Sequence, residues 1–333
     1  MFLSDGCAET RVTTAMPDSN LAPAMGELSI SNRLLGDRDA LDQAWERDGY
    51  WYFRNVLDTA AVARLRSVFI DVLYSLGVVD RDDPEARFTG ASLENFPYRM
   101  DPLVKMQPWK EFVSEPPIHA FFTQLLGGEP FWVPTVEYRA TPPTRTRDRS
   151  RFDFIHQDGF YNSGIPFLIC WVPLAEIDAD IGGVALVEGM HRKPYLHDLN
   201  RPPQFEVPDN AIAPQAWRRS TYRAGDLLLM DLGTPHSGLA NHSDRFRLSI
   251  DMRVMPKSVK IPIIGRLTAV SSSAVAVCDE TGETQLIIDE SSYCRDLSGR
   301  RMTPELVPRH FKVGDEVIVA SERGITTVLR HTH

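Results

Sequence analysis

The sequence has 333 residues, of which 43% are hydrophobic and 24% are charged, and its formal net charge is −9. This composition is ordinary for a folded globular chain and excludes extensive disorder. The acidic balance argues against a nucleic-acid-binding protein, because phosphate recognition needs a surplus of lysine and arginine on one face. We therefore expect no nucleic-acid partner.

The sequence shows no signal for export or membrane insertion. No apolar run approaches the ~20 residues that a membrane-spanning helix needs, and the N-terminal segment lacks the basic and apolar regions of a secretory signal. The four cysteines form neither a CxxC pair nor a zinc-like cluster with histidine. We expect a cytoplasmic protein with no membrane partner.

The N-terminal part of the chain predicts a leader, then helices around one strand. Residues 1–27 are rich in Ser, Thr, Ala and Pro without periodicity and are expected to be a flexible leader. The aromatic run at residues 49–53 is typical of a strand. Asp58 is expected to cap a helix over residues 60–76, where apolar residues recur every three or four positions. A second helix around residues 118–126 should end at a Gly-Gly pair.

From about residue 131 to residue 255 the pattern becomes mostly β. Short apolar runs, among them VEYRA, FLICWVPLAEI, GDLLLMDL and FRLSIDMRVM, alternate with clusters of Pro, Gly, Asn and Asp. Many short strands separated by turn residues indicate a sandwich or barrel rather than βαβ units. The arginine-rich segment 141–151 interrupts this region, and it is either a mobile lid or a solvated loop without a role.

Residues 257–333 differ in character from the region before them. Strand-like pieces surround a charged middle, and VGDEVIVASERGITTVLR predicts a strand, a turn and a second strand. We expect a small accessory β-domain without a catalytic signature. It could shape the substrate site, form a lid, or mediate assembly into a homo-oligomer.

Residues 154–158 (FIHQD) carry two candidate metal ligands. If this stretch is extended, His156 and Asp158 point to one face and Gln157 points away. A third ligand could come from His236, which follows the run LLLMDL after a Gly-Thr-Pro turn. Two histidines and one carboxylate on one face of a metal form the facial triad of non-haem Fe(II) oxygenases. The H-x-D pattern alone is weak and gains weight only from its neighbours.

An arginine after the second histidine offers a site for an anionic co-substrate. Arg247 lies eleven residues after His236, and its planar guanidinium can hold a carboxylate by two hydrogen bonds, which suits 2-oxoglutarate. Ser249 shares the face of Arg247 if the segment is a strand. Arg245 and Arg253 lie on the same face by parity and are rivals for this role. A surface ion pair is the alternative for each arginine.

Several motifs follow in a family-typical order: ERDGYWYFRNVLD, then HQDGFY, then CWVPLAEIDADIGGVALVEGMHR, then AGDLLLMDLGTPHSGLANHSDRFRLSIDMR. Through them, residues 40–256 resemble the phytanoyl-CoA dioxygenase family of Fe(II)/2-oxoglutarate-dependent oxygenases. The separation of eleven between the second histidine and the arginine also fits this family. Residues 257–333 have no counterpart in it.

The resemblance implies a mostly β fold with flanking helices, in which residues 28–256 form a double-stranded β-helix (a jelly-roll, cupin-like core). Iron would be bound by His156, Asp158 and His236.

The co-substrate site follows from the same resemblance. Arg247 would bind the distal carboxylate of 2-oxoglutarate, with Tyr138 and Trp171 lining the same pocket and Ser249 beside it. Large aromatic residues in strands are often core residues instead, so a packing role is the alternative for Tyr138 and Trp171.

The implied function is oxidation of an unactivated C–H bond of a small molecule with Fe(II), 2-oxoglutarate and O₂, releasing succinate and CO₂. The outcome would be hydroxylation or a related cyclisation or desaturation, and we expect a role in specialised-metabolite biosynthesis. Related halogenating enzymes replace the carboxylate ligand with a small residue. Because Asp158 is present, hydroxylase-type chemistry is favoured.

One motif departs from the family pattern. Residues 188–191 read EGMH where the family usually has PGSH, and His191 is expected to be a structural or pocket-edge residue. Two other functions remain open at this point. The first is a cupin-like metalloenzyme doing non-redox chemistry, which would use the three ligands but not Arg247. The second is a catalytically silent metal-binding protein whose function lies in residues 257–333.

Overall fold

A computed structural model describes residues 25–144, 154–162, 165–201, 205–297 and 301–332. The described chain is mostly β, and its sixteen strands form three sheets flanked by short helices. The predicted fold class, mostly β with flanking helices, is confirmed at this level.

Five antiparallel strands form a sheet that we call the major sheet. Its strands, in spatial order, are β2 (Tyr50–Phe53), β7 (Leu227–Met230), β4 (Leu168–Pro173), β9 (Arg247–Pro256) and β3 (Pro130–Thr141). Each of these strands lies within an apolar run that the sequence marked as β. The strands are buried along most of their length because both faces of the sheet are covered.

Four shorter strands form a second sheet, the minor sheet. Its strands, in spatial order, are β1 (Gly26–Glu27), β6 (Trp217–Arg219), β5 (Gly183–Val187) and β8 (His236–Leu239). The pairing of β1 with β6 is parallel, and the other pairings are antiparallel.

Seven α-helices accompany the sheets in the described residues, and the five that precede β3 cover one face of the major sheet. The seven helices are α1 (Arg38–Asp48), α2 (Thr59–Ser75), α3 (Asp101–Met106), α4 (Trp109–Ser114), α5 (Pro116–Leu126), α6 (Asp158–Tyr161) and α7 (Val307–His310), of which α1 to α5 are N-terminal to β3. The two predicted helices correspond to α2 and α5. Asp58 accepts a hydrogen bond from the amide of Ala61 at 2.7 Å, as its predicted capping role requires, and α5 ends at Gly127 in the left-handed region.

Two hydrophobic cores lie on the two faces of the major sheet. The first packs the apolar face of α2, including Phe69 and Leu73, against Tyr138, Cys170 and Ile250 of the sheet. The second lies between the major sheet and the minor sheet, and its largest side chain is Trp171 of β4. The two sheets therefore face each other across an apolar interior that opens, at one end, into a polar cavity.

The C-terminal part of the chain forms the third sheet, which we call the C-terminal sheet. Its strands, in spatial order, are β12 (Gly282–Ile287), β11 (Ala274–Asp279), β10 (Ile263–Val270), β15 (Glu316–Glu322), β16 (Ile325–His331), β13 (Tyr293–Arg295) and β14 (Arg301–Met302). The predicted strand-turn-strand is the antiparallel pair β15–β16. One face of this sheet encloses its own core with Phe311 and Leu329, while Ile318 and Val328 join the core between the other two sheets.

The leader was expected to extend to residue 27, but Gly26 and Glu27 pair with Arg218 and Arg219, so the chain already belongs to the minor sheet there. Sheet pairing uses backbone groups, and the side-chain composition of this segment did not indicate it. Residues 1–24 and 145–153, which include most of the arginine-rich segment 141–151, lie outside the described residues. None of the helices in the described ranges combines the length and apolar character that crossing a bilayer requires.

Gly49, which ends α1, allows a direct test of the packing between the helices and the sheets. Its φ is 77°, and a Cβ atom there would lie 2.5 Å from Nδ1 of His191; Gly36 has φ 89° and no atom within 4 Å of the same position. We predict that Gly36→Ala lowers the free energy of unfolding by about 1 kcal/mol, the cost of a left-handed backbone. Gly49→Ala should cost roughly 1–3 kcal/mol more because His191 must move. Urea denaturation of both variants measures this difference, and equal losses would contradict it.

Candidate active site

His156 and His236 become neighbours through the backbone. The amide of His156 donates to the carbonyl of His236 at 3.0 Å, and the amide of His236 donates back at 2.9 Å. This antiparallel bridge lies at the edge of the minor sheet, where β8 begins, and it brings the two imidazole rings to a centroid distance of 4.2 Å. Two residues far apart in the sequence thus face the same space.

Asp158 joins them by a route that the sequence did not predict. The stretch was expected to be extended through Asp158, but the extended backbone ends at Gln157 (φ −127°, ψ 118°), and Asp158 is the first residue of the helical turn α6. Aspartate is favoured at such positions because its carboxylate faces unpaired amides and the positive end of the turn. Oδ1 of Asp158 still lies 3.6 Å from Nε2 of His156. The candidate ligand atoms of His156, Asp158 and His236 all lie within 4.8 Å of one another.

Backbone carbonyls orient both imidazole rings. Nδ1 of His156 lies 3.0 Å from the carbonyl oxygen of Phe154, and Nδ1 of His236 lies 3.0 Å from that of Thr234. A neutral imidazole that donates its Nδ1 proton to a carbonyl keeps a lone pair on Nε2. Both rings therefore present Nε2 to the space beside Asp158, as metal-ligating histidines with a second hydrogen bond do.

The electrostatics of the cluster favour the ligand forms of these groups. Burial lowers the pKa of His156 well below its ordinary value, and the neighbouring His236 lowers it further. Burial alone would raise the pKa of Asp158, but the positive charge of Arg253 lowers it below the ordinary range, and the two histidines add to this effect when they are protonated. At neutral pH the site offers a neutral imidazole at His156 and an ionised carboxylate at Asp158, the forms that bind a divalent metal.

Arg253 holds the second oxygen of the Asp158 carboxylate. Its Nη2 lies 3.3 Å from Oδ2 of Asp158, and its Nη1 donates to the carbonyl of Thr135 at 3.1 Å. Both members of this ion pair are buried, so neither charge is screened by solvent. Arg253 thereby leaves Oδ1 directed towards His156.

A buried amide and a histidine connect the two segments that carry the ligands. The side chain of Gln157 donates to the carbonyl of Gly233 at 2.7 Å and accepts from the amide of Leu196 at 2.9 Å. The amide of Gln157 donates to Nε2 of His197 at 3.0 Å, and Nδ1 of His197 lies 2.6 Å from the carbonyl oxygen of Phe205. Because Gln157 lies between His156 and Asp158, these contacts fix the ligand segment against the turn before His236.

The cluster opens into a cavity between the major and minor sheets. Three residues expected to bind the co-substrate, Arg247, Ser249 and Trp171, line this cavity together with the candidate ligands. The guanidinium of Arg247 donates to the carbonyl of Leu239, and the hydroxyl of Ser249 is buried without a hydrogen-bond partner among the described residues. An arginine beside an unsatisfied hydroxyl, in the same cavity as the three candidate metal ligands, is suited to binding a carboxylate.

Tyr138 and Arg245 do not belong to this cavity. Tyr138 was expected to line the pocket, but it lies on the opposite face of β3, with its ring 5.9 Å from that of Phe69 in the core under the helices. The alternation of side chains along the strand is the reason, and it corrects the prediction. Arg245, one rival of Arg247, forms an ion pair with Asp178 at 3.1 Å instead.

The same alternation places two residues in the cavity that we did not select from the sequence. Arg139 and Thr141 of β3 line it, and Nε of Arg139 pairs with Oδ2 of Asp251 at 3.0 Å. A parity argument applied to VEYRAT would have found them. The sequence predicted an ordinary loop histidine at position 197, and no sequence signal indicated that His197 supports the ligand segment through the amide of Gln157. His191 lies against Gly49 and Gly233, which agrees with the structural role expected for it.

Comparison with known proteins identifies relatives of this chain. A family profile described as Phytanoyl-CoA dioxygenase (PhyH) matches residues 45–249. A protein named 1-deoxypentalenic acid 11-beta-hydroxylase from Streptomyces exfoliatus is 27% identical over 244 residues, which cover 68% of this chain and 83% of the relative.

Solved structures of similar chains also exist. One is EvdO2 from Micromonospora carbonacea var. aurantiaca, with 20% identity, a TM-score of 0.47, and coverage of 70% of this chain and 94% of that chain. Another is the non-heme alpha ketoglutarate dependent epimerase SnoN from nogalamycin biosynthesis, with 23% identity, a TM-score of 0.43, and coverage of 66% of this chain and 84% of that chain.

The two hydrogen bonds of the buried His197 imidazole, to Gln157 and Phe205, predict a pH dependence of stability. Burial is the main cause that lowers the pKa of His197 to about 4, whereas an unfolded histidine titrates near pH 6.5. The stability from the neutral imidazole is therefore fully present above about pH 6.5 and is lost as the pH falls to about 4. We predict that, between pH 6.5 and pH 4, the free energy of unfolding of the metal-free wild type falls by up to about 3 kcal/mol more than that of the metal-free His197→Gln variant. Urea denaturation at pH 7, 5.5 and 4 measures it; parallel losses in both proteins would refute the assignment.

Proposed function

The chain belongs to the phytanoyl-CoA dioxygenase (PhyH) family and is a non-haem Fe(II)/2-oxoglutarate-dependent dioxygenase, and on this premise we propose that His156, Asp158 and His236 hold the iron. The observation that carries the proposal is the convergence of their ligand atoms within 4.8 Å at the end of a partly buried cavity. Two imidazoles and one carboxylate are the donor set that suits Fe(II) with open positions for co-substrates.

We propose that Arg247 and Ser249 bind the distal carboxylate of 2-oxoglutarate. Both line the cavity, and the unsatisfied hydroxyl of Ser249 would gain a hydrogen bond from such a ligand. Trp171, buried in the same wall and packed against Tyr222 at 4.7 Å, would limit the width of the site. The positive charge of Arg247 also favours an anion in a cavity where water screens charges only weakly.

The reaction that follows is oxidation of a C–H bond of a small molecule, with release of succinate and CO₂. Bound at these residues, iron and 2-oxoglutarate would supply the chemistry that activates O₂, while the protein binds the substrate, orients it and excludes bulk water. We propose hydroxylation as the outcome, because the related Streptomyces exfoliatus protein is named a hydroxylase and the carboxylate ligand position holds an aspartate. A cupin-like non-redox reaction would leave Arg247 and Ser249 without a role.

The arrangement of the sheets supports a domain proposal as well. We propose that the major and minor sheets are the two halves of a double-stranded β-helix that extends from β1 to residue 256, two residues earlier at its start than the sequence indicated. We also propose that residues 257–333 are an accessory β-domain, since the family profile ends at residue 249 and the C-terminal sheet contains its own core.

The cofactor assignment is tested by anaerobic titration of the Fe(II)-loaded protein with 2-oxoglutarate, followed by the visible charge-transfer band of the chelated complex. We predict a band in the wild type and none in His236→Ala, which lacks a ligand. Arg247→Ala should need at least about tenfold more 2-oxoglutarate, because a hydrogen-bonded charge pair of about 1.5–3 kcal/mol is lost.

Arg245→Ala is the matched control for this titration, since Arg245 precedes the same strand but pairs with Asp178 outside the cavity. Its titration should overlay that of the wild type. A folded, iron-loaded wild type without a band would remove the cofactor assignment. An equal shift in Arg245→Ala and Arg247→Ala would remove the assignment of Arg247.

Arg253, the remaining rival, should behave differently from Arg247. Because it neutralises the buried Asp158, we predict that Arg253→Met lowers the free energy of unfolding by about 3 kcal/mol or more. In this proposal Arg253 does not contact the carboxylate of 2-oxoglutarate. The concentration of 2-oxoglutarate that half-saturates the band should therefore change less than about twofold, in contrast to the tenfold change expected for a lost carboxylate contact. Urea denaturation and the same titration measure both effects. A large rise in the half-saturating concentration would instead identify Arg253 as the carboxylate-binding residue.

A further inference from the structure

The C-terminal sheet, which lies beyond the family match, reaches the candidate iron site. Along β16 the side chains alternate: Val328 packs into the core between the major and minor sheets, while Leu329 faces the core of the C-terminal sheet. Arg330 follows on the same side as Val328. This register directs a guanidinium towards the helical turn that begins with Asp158.

One asparagine connects Arg330 to that turn. Nη1 of Arg330 donates to Oδ1 of Asn162 at 2.7 Å, and Nδ2 of Asn162 donates to the backbone carbonyl of Asp158 at 2.9 Å. Asn162 is buried, whereas Arg330 keeps part of its surface exposed. Arg330 is therefore held beside the turn that begins with Asp158 while part of its surface stays in contact with solvent.

A second arginine of the C-terminal sheet lies beside the first. Strand β13 runs parallel to β16, with Tyr293 opposite Val328, so that continuing the register places Arg295 next to Arg330. The guanidinium of Arg295 lies 5.4 Å from the ring centre of Tyr161, and that ring lies 6.5 Å from the ring of His156. The ring of Tyr161 thus lies near both Arg295 and the candidate iron ligand His156.

Positive charge is concentrated at this place. Burial lowers the pKa of Arg330 to about 9, with a further contribution from Arg295 and Arg253 that Glu137 and Asp158 oppose. Burial would raise the pKa of Glu137, yet the surrounding arginines, Arg330 among them, lower it. A guanidinium whose pKa is lowered by burial and by neighbouring positive charge is a favourable site for an added anion.

We propose that Arg330 and Arg295 form an anion subsite that binds a carboxylate of the substrate, so that the substrate is a small carboxylic acid. The planar guanidinium fork matches a carboxylate in geometry and charge. A substrate that spans the ring of Tyr161 would place its carboxylate on the C-terminal sheet and a C–H bond beside His156. This inference rests on the proposed function, and it assigns substrate recognition to the accessory β-domain.

The test uses the full-length protein loaded anaerobically with Fe(II) and 2-oxoglutarate. The probes are octanoic, cyclohexanecarboxylic and decalin-2-carboxylic acids, each compared with its methyl ester and its coenzyme A thioester. Binding is measured by the change in the charge-transfer band and by the shift in melting temperature. We expect at least one free acid to bind about tenfold more tightly than its ester and its thioester, because only the acid offers a free carboxylate.

The variants are Arg330→Gln and Arg295→Gln, with Arg309→Gln as the matched control because Arg309 is an exposed arginine of α7. Each of the first two should weaken binding of the acid about tenfold or more, leave binding of the ester unchanged, and keep the wild-type dependence on 2-oxoglutarate. Arg309→Gln should match the wild type throughout. If Arg330→Gln does not fold, the same measurements are made on Arg330→Lys and Arg295→Gln.

The outcomes separate the two proposals. A normal charge-transfer band with no preference for any acid over its ester would overturn the carboxylate subsite and leave the iron assignment in place. Tighter binding of a thioester would overturn it as well, in favour of a phosphate-bearing substrate. If the acid is preferred but both glutamine variants bind it as the wild type does, the assignment to these arginines is wrong. Absence of the band in the wild type would overturn both proposals.

Discussion

The backbone pairing of His156 with His236 is the contact on which the rest of the candidate site depends. Two hydrogen bonds, of 3.0 and 2.9 Å, join segments that are far apart in the sequence and set the distance between the two imidazoles. Backbone pairing is suited to this purpose because it fixes position without using the ligand side chains. The side chain of Gln157 adds a second connection, to the turn before His236. Rigid support of this kind keeps a metal site in shape before the metal binds.

The cavity also has to accommodate several charges away from water. Asp158 and Asp251 are paired there with Arg253 and Arg139, each at hydrogen-bond distance. Buried ion pairs of this type contribute little to net stability, but removal of one partner is costly because the other charge stays behind. The network therefore holds the ligand carboxylate in one orientation, and it gives Arg253 a different role from Arg247 although both line the cavity from the same face of β9. Arg247 is the first residue of β9, and it lines the cavity together with Ser249, whose buried hydroxyl has no hydrogen-bond partner among the described residues.

Much of the fold could be predicted from local patterns. The periodicity of α2, its cap at Asp58 and the short apolar runs of the major sheet all correspond to observed elements, because burial of one face imposes a repeat that the sequence records. Where a prediction was wrong, long-range packing was the cause. Tyr138 is a residue type that often lines ligand pockets, but its position in β3, which pairs with β9, directs its side chain into the core beneath the helices. Asp158 was expected on a strand and lies on a helical turn.

The sequence by itself determined the chemistry: the identities of two histidines, a carboxylate and an arginine at family-typical spacing, and a mostly β chain to carry them. Only the tertiary structure decided which partner each of Arg245, Arg247 and Arg253 contacts, because that depends on the neighbouring segments and not on the parity that the three share. It also decided that Arg295 and Arg330, within a segment that showed no catalytic signature, lie beside the turn that begins with Asp158. Such proximity is set by the packing of one sheet on another, which brings together residues that no local pattern relates.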